Sequence, residues 1–89
     1  MRAKRIDQNQ TGIIHDIQKC GLSVISLAPL GFGVPDLLIS DATHMWLAEL
    51  KTKNGKLTPA QQKWHLMWRG KPPIIARSFD ELMEKIKTK

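Results

Sequence analysis

The 89 residues predict an α/β domain built on a mixed central sheet. Three observations predict it. Apolar residues recur at helical spacing towards both ends of the chain. Between them lie short apolar and β-branched runs of strand length. Two capping signatures, Thr58-Pro59-Ala60-Gln61 and Ser78-Phe79-Asp80-Glu81, start helices after such runs. The predicted order is α-β-β-β-α-β-α, in one domain over 1–89 with a basic tail at Met1–Arg5.

Each element has a local reason. Ile13, Ile14, Ile17 and Cys20 fall at helical spacing within Ile6–Cys20, and Gly21 supplies a stop. Leu22–Ala28 is short and β-branched, a first strand that Pro29-Leu30-Gly31-Phe32-Gly33 breaks with a loop. Asp36–Ser40 is nearly continuous apolar sequence, as in a strand buried on both faces. Asp41-Ala42-Thr43 turns the chain into a third strand, His44–Thr52, paired antiparallel with the second. After the polar turn Lys53–Lys56, Thr58 caps a helix with Pro59 at its first position. That helix is predicted to reach about Arg69 and stop at Gly70. Ile74-Ile75-Ala76 is a short strand. A last helix carries Phe79, Leu82, Met83 and Ile86 on one face.

Composition narrows the function. The chain is 42% hydrophobic and 25% charged, which is ordinary for a folded domain and argues against disorder. Fourteen Lys and Arg against eight Asp and Glu give a net charge of +6. That excess points to a polyanionic partner, nucleic acid first and an anionic membrane second. No helix has the strongly basic amphipathic character that membrane binding needs, so no membrane partner is expected. The single cysteine, Cys20, rules out an intrachain disulfide and fits a reducing, intracellular setting. The basic start lacks a following apolar run, so no signal peptide is expected. A cytoplasmic location follows.

The chemistry lies in Gly33-Val34-Pro35-Asp36 and Glu49-Leu50-Lys51. Side chains alternate along a strand, so Glu49 and Lys51 project together, about 6.5–7 Å apart along the axis. A hairpin of the second and third strands sets Asp36 beside them. Two carboxylates with oxygen ligands suit Mg²⁺ or Mn²⁺ rather than zinc, and no Cys/His cluster supports a zinc site. A bland alternative stands beside each residue. A lone Asp is usually a turn residue, and Glu49 with Lys51 could be an exposed ion pair on an edge strand. Gln61 is equally well placed to complete the Thr58 capping box or to meet substrate, two roles that compete for one amide. Lys53, Lys56 and Arg77 are candidate phosphate contacts. Trp64 and Trp68 share a helix face with Gln61 and are assigned to packing before base stacking.

The runs Gly33–Ile39, Leu47–Thr52, Gly55–Gln61 and Ala76–Glu81 together resemble the PD-(D/E)XK nucleases, and within them the VRR-NUC branch in its small stand-alone phage form. The resemblance covers nearly the whole chain. It implies a restriction-endonuclease-like fold and a metal site made by Asp36, Glu49 and the main-chain carbonyl of Leu50. It further implies a catalytic Lys51 and an active-site Gln61. It also implies a homodimer that cuts branched DNA, Holliday junctions above all, in the cytoplasm of the host cell if phage-encoded. Many relatives carry a further Glu on the first helix. Here Gln8 or Asn9 would stand in its place as a neutral ligand or water-holder. The rivals are a flap-, fork- or end-directed nuclease of the same family and a non-catalytic DNA-binding module.

Overall fold

Ile13 and Ile17 lie one turn apart on the first helix and fix which face it buries. A computed structural model describes residues 8–87, with side chains from Gln10 onward. The expected basic tail and the Gln8 and Asn9 side chains lie outside the described residues. The first helix, α1, spans Gln8–Lys19, and β1 follows at Ser23–Ser26. Then come β2 at Leu37–Ser40, β3 at Met45–Leu50, α2 at Pro59–Met67, β4 at Ile74–Ala76 and α3 at Phe79–Lys87. The predicted order holds.

The sheet runs β1-β2-β3-β4. β1 and β3 pair antiparallel with β2, and β4 is parallel to β3. A parallel neighbour needs a long crossover, and the segment containing α2 supplies it. β3 therefore has a partner on each side and is not an edge strand. Leu37 pairs with Ala48, and Ile39 with Trp46. These four form the core with Ile13 and Ile17 of α1, Ile74 and Ala76 of β4, and Leu82 and Ile86 of α3. The opposite face carries Leu38 and Leu47, which also pair.

Three of the boundaries that differ from the sequence expectation have a clear local reason. β1 ends at Ser26 because Ala28–Leu30 winds into a single 3-10 turn, for which the fixed φ of Pro29 is suited. β3 ends at Leu50, so Lys51 stands just past the strand, its N–H still bonded to the Ala76 carbonyl at 3.0 Å. α2 stops at Met67, because Trp68 turns extended and its indole stacks on Trp64 at 4.6 Å. Gly70 lies against that indole, where an added Cβ would come within 2.9 Å.

The β2–β3 turn fixes the register. Asp41 Oδ1 accepts from the N–H groups of Thr43 and His44, at 2.8 and 2.6 Å. The Ser40 hydroxyl donates to the His44 carbonyl at 2.9 Å. The Thr43 amide bond first, then that of His44, holds the Asp41 carboxyl below its ordinary value of 3.8. A depressed folded-state value stabilises above pH 3.8, and the gain is lost as pH falls through that depressed value. Asp41→Ala should melt at a lower temperature than the wild type near neutral pH. In thermal scans taken at successively lower pH, the gap should close only below 3.8.

Candidate active site

Hairpin geometry puts two acids together. Continuing the Leu37–Ala48 register by one residue sets Asp36 opposite Glu49. Alternation turns both away from the core face. Pro35 is fully buried and holds the chain extended into Asp36, which is 7% exposed. Asp36 Oδ2 accepts from the Leu50 N–H at 2.8 Å, so its carboxylate sits at the peptide that follows Glu49. Glu49 is 0% exposed, in the middle of the sheet and under α2. That burial excludes an exposed edge-strand ion pair for Glu49 and Lys51.

Gln61 ties the site to α2. Its Oε1 accepts from the Thr58 N–H at 2.9 Å and from Lys51 Nζ at 2.6 Å. Its Nε2 donates to Glu49 Oε2 at 3.2 Å. Thr58 Oγ1 accepts from the Gln61 N–H at 3.2 Å and completes the capping box. The two roles that competed in the sequence coexist, because an amide oxygen has two lone pairs and its nitrogen is a separate donor.

Close approach of the preceding loop seats this helix start. Gly33 has φ +78, and a Cβ there would clash with the Ala60 carbonyl oxygen. Only glycine lets the loop before Asp36 lie this close to the first turn of α2.

His65 enters the site although the sequence reading left it aside. It lies one turn beyond Gln61 on the same face, which was the available signal. Its Nε2 is 3.7 Å from Glu49 Oε1. Burial, and then the charge of Lys51, lowers its pKa from the ordinary 6.5. The imidazole is thus held neutral beside the acid near pH 7. Trp64 packs edge-on against it.

The donor set fits a hard divalent cation. Asp36 and Glu49, as ionised, place two negative charges around the single positive charge of Lys51, and their donors are oxygen atoms. Among the described residues no group of three His, Cys, Asp or Glu side chains could hold a metal without other donors. Main-chain and water oxygens would complete the coordination of such an ion.

The structure thus brings Asp36, Glu49, Leu50, Lys51 and Gln61 together. Lys53 and Lys56 are exposed on the turn after β3. Arg77 is beside that turn, its Nη1 donating to the carbonyls of Thr52 and Gly55 at 2.6 and 2.8 Å. On α1, the polar residue on the buried face with Ile13 and Ile17 is Gln10, 6% exposed.

No family model matches the sequence, and no curated protein does. A solved structure described as a VRR_NUC domain matches the fold with a TM-score of 0.70 and 27% sequence identity. The match covers 90% of this chain and 91% of that one. This chain has the fold of a VRR-NUC domain.

The placement of Gln61 depends on the contact at Gly33. Gly33→Ala should lower unfolding stability by more than about 1 kcal/mol, from backbone strain plus the clash with Ala60. Urea titration reads the loss, and an unchanged midpoint would show that the contact is dispensable.

Proposed function

We propose that this chain is a VRR-NUC nuclease, a metal-dependent DNA endonuclease that acts as a homodimer on branched DNA, with the Holliday junction as its leading substrate. The observation that carries the reading is the Gln61 amide joined at one end to Lys51 and at the other to Glu49, with Asp36 bonded one residue away. Two acids and an ammonium linked through one amide, on a protein of net charge +6, suit attack on a phosphodiester.

Asp36, Glu49 and the Leu50 carbonyl would hold Mg²⁺ or Mn²⁺. Such an ion, when bound, acidifies water and offsets charge on the attacked phosphate. Lys51 Nζ, fixed by Gln61, holds the attacking water or meets the charge that grows on the phosphoryl oxygens. Water adds to phosphorus, the bond to the 3′ oxygen breaks, and a proton ends on that oxygen. The products are a 5′-phosphate and a 3′-hydroxyl. Exposed Lys53 and Lys56 contact the backbone of the bound DNA without reading its sequence.

Two-fold assembly accounts for paired cuts across a junction. Large apolar side chains left exposed on one monomer, among them Met45, Leu66, Met67 and Trp68, support a second copy. Light scattering on the purified protein should give twice the monomer mass.

The direct test is a labelled four-way junction incubated with Mg²⁺ or Mn²⁺, beside a flap and a linear duplex. The junction should be cut fastest, and chelation should abolish cutting. Lys51→Ala should lose about 10²–10³-fold in rate, the usual cost of removing one donor to developing charge. Cleavage at the wild-type rate would remove Lys51 from the mechanism. Gln61→Leu should be slowed as well, since it releases Lys51 and takes away the amide that Glu49 accepts.

A further inference from the structure

We infer that Arg77 is a positioning residue that holds the Thr52–Gly55 turn in the shape that presents Lys53 and Lys56 to a phosphate backbone. The inference rests on the nuclease reading for its DNA partner, but not for the clamp itself.

Three main-chain oxygens converge on one nitrogen. Arg77 Nη1 lies 2.6 Å from the Thr52 carbonyl, 2.8 Å from that of Gly55 and 3.4 Å from that of Lys53. Carbonyl dipoles aimed at one point repel one another unless a cation sits among them, and here the guanidinium does. The turn itself is narrow. The Gly55 N–H donates to the Thr52 carbonyl at 3.0 Å, and a Cβ on Gly55 would meet Thr52 Oγ1 at 2.9 Å. Internal bonding of the turn is otherwise slight, and both lysines are exposed.

Arg77 is itself anchored on two sides. It directly follows β4, whose Ala76 carbonyl accepts the Lys51 N–H at 3.0 Å. Its own N–H donates to Glu81 Oε1, and the Ser78 hydroxyl accepts from the Glu81 N–H at 3.1 Å. The start of α3 therefore sets the Arg77 backbone, the Arg77 side chain sets the turn, and the turn adjoins Lys51. With its Nη1 given to the turn carbonyls, Arg77 contributes to DNA binding chiefly through the lysines it orders.

The test has two arms. Without DNA, amide exchange at Gly55 is compared in the wild type and in Arg77→Met, which keeps the aliphatic stem but no donor. Exchange should rise ten-fold or more, while amides of β2 and β3 stay protected and report an intact fold. Arg77→Gln, with a shorter neutral donor, should fall between. With a four-way junction in chelator, binding is measured for the wild type, Arg77→Met, the Lys53→Ala/Lys56→Ala pair and the triple variant. Arg77→Met should weaken binding of the wild type several-fold and change nothing in the lysine-free background. Unaltered Gly55 exchange overturns the clamp. An equal loss of affinity in both backgrounds overturns its action through the lysines and makes Arg77 a phosphate contact of its own. A wild type that binds no junction overturns the proposed function, and the exchange arm still decides whether Arg77 holds the turn.

Discussion

The site depends on the two-ended chemistry of one amide. Gln61 accepts at one end, from Thr58 and Lys51, and donates at the other, to Glu49. No other side chain offers both at this length. Glutamate would set a second negative charge against Glu49, and asparagine is one methylene short. The Thr58 N–H fixes which way the amide points, since it can only donate. A helix cap therefore decides where the lysine and the acid of the site stand, and local helix chemistry becomes a condition of function.

That bond in turn explains why a fully buried acid is tolerated. Isolating a carboxylate from water costs several kcal/mol unless bonds and charges compensate. Glu49 receives the Gln61 amide and lies near the His65 ring, while Asp36 takes the Leu50 N–H. Buried polar groups of this kind give less stability than an apolar core would, but they specify one arrangement of β2, β3 and α2. The glycine at position 33 belongs to the same constraint. It lets α2 come down far enough for Gln61 to reach across to β3.

Much of this was legible in the residues. Alternation along Leu47-Ala48-Glu49-Leu50-Lys51, with a short polar turn before it, is enough to set Asp36 beside Glu49, and the observed register does so. The helix starts at Thr58 and in the Ser78 region were equally readable, because capping is local. At the second, Glu81 reaches the N–H of Arg77 rather than that of Ser78, a shift of one residue that no pattern encodes. Gln61 remained ambiguous because spacing shows one partner for a side chain at a time, whereas an amide serves three. His65 was set aside because no Cys/His cluster accompanies it, although its place one turn beyond Gln61 was legible. The Arg77 contacts were invisible for a deeper reason. Their acceptors are main-chain carbonyls, which every residue has, so no choice of side chain at Thr52, Lys53 or Gly55 announces them.

The molecule separates its charges by depth, and the two sets answer differently to salt. Lys53 and Lys56 are exposed, where ions screen an interaction over about 8–10 Å at ordinary ionic strength. Glu49 and the Lys51 ammonium are joined through Gln61, and Asp36 takes the Leu50 N–H, at a largely buried point where screening hardly acts. Raising salt therefore weakens the field of the exposed lysines and leaves the inner geometry as it was. The turn at Thr52–Gly55 joins the two regimes. It starts one residue after Lys51 and carries Lys53, so under the proposed function its shape would convert a diffuse attraction into a fixed distance between a held phosphate and the site. A turn with this role cannot depend on its own few bonds, and a cation at the centre of its carbonyls is the means the chain uses to hold it.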